Sequence, residues 1–193
     1  MDDNTAWTPY NEDNLLNLTD KSTINEEEAK GIVLAELYVF GLETDTSISI
    51  SLIFGIHKIA FGHLYDWAGQ WRTTSILVGQ FEPPLPNQII QLMYQFIDNL
   101  NFKMKVAKTW EEHIDCLFYT HYEFIRIHPF NNGNGRTGRI LMNLVAMKFD
   151  YKPLGLYYRE GESRKIYIDA MKAADKGDND ALKNLIAAEL IIF

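Results

Sequence analysis

The stretch His128-Pro129-Phe130-Asn131-Asn132-Gly133-Asn134-Gly135-Arg136-Thr137-Gly138-Arg139 places a base, a glycine turn and two arginines in one short segment. Gly133 and Gly135 free the backbone to turn tightly. The residues that follow, Ile140, Leu141, Leu144, Val145 and Met147, recur at helical spacing, so the glycines open a helix. The first N–H groups of a helix lack intrahelical partners and sit at the positive end of its dipole, which makes the turn an anion site. Arg136 and Arg139 are three apart, hence neighbours on one helical face, and their forks suit phosphate oxygens. His128 precedes the turn, and an imidazole with an unperturbed pKa of about 6.5 can take a proton from an attacking hydroxyl.

Taken singly, each of these residues is better explained by a solvated turn or a solvated helix face. Together they resemble the signature of the Fic family, His-Pro-Phe-x-acidic-Gly-Asn-Gly-Arg-x-x-Arg, at all but one position. The resemblance implies transfer of AMP from ATP to a Ser, Thr or Tyr hydroxyl of a target protein. It also implies His128 as base, the backbone around Gly133, Asn134 and Gly135 on the α- and β-phosphates, and Arg136 and Arg139 on the outer phosphates. The exception is Asn132. Its slot in the family holds an acid that binds the nucleotide's magnesium, and an amide offers a weaker, neutral oxygen to Mg2+ or Mn2+. The related Doc branch, which phosphorylates, carries Lys where this chain has Gly135, so the resemblance favours nucleotide transfer. Two alternatives stay open. Fic relatives move UMP, phosphocholine or phosphate, or remove AMP, and a non-catalytic nucleotide- or partner-binding module can keep the same turn.

The chain has 193 residues, 47% hydrophobic, enough for one sizeable core. Its formal net charge of -8 argues against a nucleic acid or an anionic membrane as partner. An anionic nucleotide must then be gathered locally, and Arg126, Arg136 and Arg139 form the one concentrated basic spot. Cys116 is alone, so no disulfide framework is expected, and a reducing cytoplasmic setting fits. The N-terminus has no signal-peptide pattern, and the most apolar stretch, 48 to 65, is interrupted by His57, Lys58 and His63.

Residues 1–48 read as an N-terminal arm followed by a helix, and residues 49–193 as the Fic domain. The arm covers 1–22. From Thr23, Glu26, Glu27 and Glu28 read as an acidic first turn complementing the helix dipole. Many Fic proteins are restrained by a helix bearing Ser or Thr, three residues, Glu, then Gly or Asn. Thr23 to Glu27 has that spacing, although Glu28 stands where Gly or Asn is usual. The resemblance therefore implies Glu27 as an inhibitory residue on Arg139, with a separate inhibitory chain as the other source of restraint.

Residues 49–65 fit a largely buried helix. Tyr65-Asp66-Trp67-Ala68-Gly69-Gln70-Trp71-Arg72 resembles the Trp-Ala-Gly segment that precedes the Fic flap, with Trp67 and Trp71 as core pieces. Thr73, Thr74, Ser75, Ile76, Leu77 and Val78 favour strand, Gly79-Gln80 can turn, and Phe81-Glu82-Pro83-Pro84 leaves again. A short β-hairpin is expected, whose edge can accept another chain. The resemblance makes Thr73 to Ile76 the docking site for the target. Further helices are expected over 87–104, after the Thr109-Trp110-Glu111-Glu112 capping box, from Ser163, and after Gly177-Asp178, with a connector from Tyr151 to Tyr158. His121 lies on an apolar stripe and reads as a hydrogen-bonded core histidine, while His57, His63 and His113 show no zinc-like grouping. Tyr167 is a core aromatic by spacing, or packs against the nucleotide base by resemblance. The fold is expected to be all-α, a compact Fic-like helical bundle with one β-hairpin flap.

Overall fold

The computed structural model describes residues 13–43, 45–156 and 161–193. Among them are seven α-helices: α1 (Lys21–Phe40), α2 (Ile50–Phe61), α3 (Ile89–Val106), α4 (Trp110–Ile127), α5 (Asn134–Lys148), α6 (Gly161–Ala174) and α7 (Asp180–Glu189). The expected arm over residues 1–12 and the Tyr157–Tyr158 end of the connector lie outside the described residues.

Helices α1, α2 and α4 start where a side chain satisfies the first free N–H groups. At α4, Thr109 accepts from Glu112 N while the Glu112 carboxylate takes the Thr109 and Lys108 N–H groups. That reciprocal cap is worth about 1 kcal/mol. Ser49 caps α2 through Leu52 N, and Asp20 caps α1 through Thr23 N at 2.8 Å. The Asp20 cap places Glu26, Glu27 and Glu28 in the second turn of α1, so the expected acidic first turn is not formed. Their places round the helix are then decided by packing.

Helix α4 lies among α3, α5 and α7, and α1 packs along α2 and reaches α5. The stripe Ile114, Leu117, Phe124 and Ile127 on α4 is buried against Ile140, Leu141 and Val145 of α5, Met93, Phe96 and Leu100 of α3, and Leu182 and Ile186 of α7. Cys116 is buried there, and burial pushes its thiol up to about 12, so it is a core residue. No helix among the described residues is long and apolar enough to cross a membrane.

The expected β-hairpin flap is not formed. No strand occurs among the described residues, and residues 73–85 make only an isolated bridge in which Val78 and Phe81 exchange N–H to carbonyl bonds of 2.9 and 3.0 Å across Gly79-Gln80. Two features prevent a ladder. Pro83 and Pro84 have no N–H to donate. The carbonyls of Thr74 and Pro84, which a ladder would use, are both taken by the Arg72 guanidinium. Extended backbone is present, but it is organised around a side chain.

The contact between α1 and α2 depends on Gly31: a Cβ there would stand 1.9 Å from the Ala60 carbonyl oxygen and 2.7 Å from His63 Cε1. Gly31→Ala must therefore push α1 off α2. We expect a loss of about 1–3 kcal/mol, read as a melting temperature lower by several degrees, and an unchanged melting curve would contradict this packing.

Candidate functional site

The site forms where α4 ends and α5 begins. His128 closes α4 in a left-handed conformation, φ 50° and ψ 60°. Pro129 disfavours helical angles in the residue before it, so the helix must stop here. A non-glycine residue in this region is strained and persists only when its surroundings hold it. Here the His128 N–H remains on Phe124 O at 3.1 Å, its carbonyl accepts from Arg72 Nε at 2.7 Å, and the Arg72 N–H takes the next carbonyl, that of Pro129, at 2.9 Å.

The His128 imidazole is fixed in one tautomer. Its Nδ1 lies 3.1 Å from the Ile125 carbonyl oxygen, which can only accept, so Nδ1 carries the proton and Nε2 the lone pair. Among the described residues, Nε2 is buried with no hydrogen-bond partner. Burial lowers the imidazole pKa to about 4, with the Arg72 charge adding to the effect and the Ile125 bond opposing it. At neutral pH the ring is an uncharged base with its acceptor unused.

The loop beyond it is held from below. Phe130 is fully buried and stacks on His57, with ring centroids 3.7 Å apart. His57 Nδ1 accepts from Gly69 N at 2.8 Å, so its other nitrogen carries the proton and donates to the Asn132 carbonyl at 3.0 Å. The Asn134 side chain bonds both the N–H and the carbonyl of Phe130, at 2.9 and 2.8 Å. Gly133 has φ 75°, and a Cβ there would meet the Phe61 ring at 2.4 Å, so only glycine passes. The N–H groups of Asn134, Gly135 and Arg136 then open α5, where no intrahelical carbonyl reaches them.

The two arginines have different surroundings. Arg136 forms an ion pair with Glu28, lies over the Phe61 ring at 4.6 Å, and Glu28 also accepts from the Tyr65 hydroxyl at 3.1 Å. Arg139 lies beside Gly135 and against Tyr167. Tyr167 is buried, and its hydroxyl is 2.7 Å from His121 Nε2. The structure thus joins Tyr167 to Arg139 and His121. Burial lowers the His121 pKa to about 3, with Arg139 adding to it, which keeps that core histidine neutral.

Glu27, the residue with the inhibitory spacing, is not at the site: its carboxylate pairs with Lys30. The acid brought to the motif is Glu28, one position later, and it reaches Arg136, not Arg139. A signal for this was present in the sequence. Glu28 belongs to the buried stripe Ile24, Gly31, Ala35 and Val39 at helical spacing, and Glu27 does not. His57 and Arg72 were also not singled out by sequence reasoning. Thr73, Thr74 and Ser75 are exposed and Ile76 half-buried, and Arg72 bonds the carbonyls of both Thr74 and His128. Arg126, counted with the basic spot from sequence, pairs with Glu123.

The Asn132 amide is engaged within its own loop. Its Oδ1 already accepts the Gly133 N–H at 2.7 Å and has the Arg136 guanidinium 3.5 Å away, whereas magnesium takes carboxylates and phosphates. Among the described residues no group of three or more acids, histidines or cysteines could hold a metal.

The family model described as Fic/DOC family matches residues 47–146. The chain is similar to the "Protein adenylyltransferase Fic" of Nematostella vectensis, 32% identical over 163 residues, covering 82% of this chain and 36% of that protein. It is also similar to "Protein adenylyltransferase fic-1" of Caenorhabditis briggsae, 33% identical over 132 residues, covering 68% and 25% respectively. This chain spans about a third of the length of the curated relatives it matches. Among solved structures, Fic-1 from C. elegans superposes with a TM-score of 0.75 at 25% identity, over 89% of this chain and 50% of that one. The BepC protein of Bartonella tribocorum, solved with bound AMPPNP, shares the fold, with a TM-score of 0.74 at 17% identity over 98% and 97% of the two chains.

Burial holds His57 and His128 at about 4 and His121 at about 3, below the ordinary 6.5. As pH falls from about 6.5 towards about 4, the unfolded chain takes up protons that the folded chain refuses. Stability must therefore fall through that window. Melting temperatures recorded from about pH 7 down to about pH 4.5 should decline below about pH 6.5, and a flat profile would contradict the burial of these rings as neutral groups.

Proposed function

We propose that this chain, which belongs to the Fic/DOC family, transfers a nucleotidyl group, AMP from ATP, to a hydroxyl side chain of another protein. The observation that carries this reading is the unpartnered Nε2 of His128, on the same short loop that opens the N-terminus of α5. In the transfer, Nε2 takes the proton of the attacking hydroxyl while its oxygen forms a bond to the α-phosphorus. The bond from that phosphorus to the bridging oxygen breaks, and pyrophosphate leaves. The α5 N–H groups stabilise the charge that builds on the α-phosphate, and the arginine forks receive the outer phosphates. Any divalent cation arrives with the nucleotide, because Asn132 offers it no charge. The names of the relatives support adenylyl transfer; a panel of labelled ATP, UTP, GTP and CTP with a cell lysate tests the donor and reveals the target.

The Glu28–Arg136 pair supports a regulatory role for α1. A carboxylate on the arginine fork occupies donors that a phosphate needs, so α1 in this position restrains nucleotide binding. A charge-assisted hydrogen bond is worth about 1.5–3 kcal/mol, so releasing Arg136 should tighten ATP binding by roughly tenfold or more.

One labelling assay with α-labelled ATP tests both statements. His128→Ala should remove labelling, a loss of at least about 10²-fold, with ATP affinity nearly unchanged and the variant still folded. Glu28→Ala should raise labelling and ATP affinity, and Glu27→Ala should change neither. Undiminished labelling by His128→Ala would remove the base assignment, and a Glu28→Ala variant no more active than the unsubstituted chain would make the ion pair purely structural.

A further inference from the structure

Arg72 is almost entirely buried, 1% exposed, yet no carboxylate pairs with it among the described residues. A buried cation is costly unless its donors are satisfied. Every recorded hydrogen bond of this guanidinium goes to a main-chain carbonyl: Nε to His128 at 2.7 Å, Nη1 to Thr74 at 2.9 Å and Nη2 to Pro84 at 2.5 Å. Its own N–H adds Pro129 O at 2.9 Å. All four carbonyls lie outside helices and strands. The first lies on the left-handed residue carrying the base, the second and third at the two ends of the 73–84 loop.

We propose that Arg72 is the positioning residue of this site, a buried strut that closes the neck of the 73–84 loop and fastens that loop to the main chain of His128. The fan of contacts explains why the side chain is arginine. A guanidinium is planar and carries five donors in fixed directions, so one group can hold three carbonyls at once, whereas a lysine ammonium is a compact, strongly hydrated charge on a flexible stem. The loop and the base are then one mechanical unit, and the position of residues 73–84 sets where the His128 imidazole stands. The positive charge, placed on the carbonyl of His128, also favours the neutral form of the ring. This inference rests on the reading of His128 as the base for its catalytic consequence; the mechanical coupling does not.

Amide hydrogen exchange on the full chain tests it. In Arg72→Lys, the amides of residues 74–82 and of 128–131 should exchange faster together, by about tenfold or more, while those inside α3 and α5 keep their rates. In α-labelled ATP self-labelling or lysate labelling, the same variant should lose at least about tenfold in kcat with KM for ATP within about twofold. Arg72→Met is the stronger variant, and Arg72→Lys serves if it does not fold. Exchange that changes in one segment without the other, or rises uniformly through the molecule, overturns the strut. If both segments respond but His128→Ala labels as well as the unsubstituted chain, the strut stands and the base assignment falls.

Discussion

A histidine held in left-handed backbone at the end of α4 is the constraint on which the rest of this structure depends. The conformation is unfavourable by about 1–3 kcal/mol, and Pro129 removes the helical alternative. What holds it is distributed over three parts of the chain. Arg72 takes the carbonyls of His128, Thr74 and Pro84, the Ile125 carbonyl fixes the ring, and Phe130 is sealed beneath by His57. Each contact comes from a different element, so the loop is placed by the fold as a whole and not by its own sequence.

The polar groups at the site divide into those used up by this support and those left over. Both nitrogens of His57 are committed, as are both polar atoms of the Asn134 side chain and the Oδ1 of Asn132. Left over among the described residues are the Nε2 of His128, the Oγ1 of Thr137 and the first N–H groups of α5. In the proposed transfer the Nε2 would take the hydroxyl proton and the N–H groups would hold the phosphate. Burial holds the pKa of the His128 ring at about 4, so at neutral pH it is uncharged and its Nε2 lone pair is free.

Much of this was legible in the sequence because it rests on local rules. The Thr109–Glu112 capping box, the stripe on α4 leading to His128, the glycine at Gly133 and the helix it opens all follow from spacing and conformational preference. The flap was misjudged for a physical reason. Thr73 to Val78 has strand propensity, but a strand needs a partner, and the carbonyls that would serve one are claimed by Arg72 from a single residue upstream. The register of α1 was misjudged because helix position turns by about 100° per residue. With Asp20 as the cap, the stripe of Ile24, Gly31, Ala35 and Val39 turns Glu28 inwards to Arg136 and leaves Glu27 to Lys30. Buried struts such as Arg72 and His57 are the hardest to foresee, since their partners are main-chain atoms that carry no sequence signal.

The claim at the centre of this account is that the fold presents His128 as a neutral imidazole with its proton on Nδ1 and its Nε2 lone pair unused. Nitrogen-15 NMR of the histidine rings reads that state directly. The account predicts for His128, assigned by comparison with His128→Gln, a protonated Nδ1 and an unprotonated Nε2 at neutral pH, with protonation only as pH falls towards about 4. A ring that titrates near its ordinary value of 6.5, or that carries its proton on Nε2 at neutral pH, would contradict it.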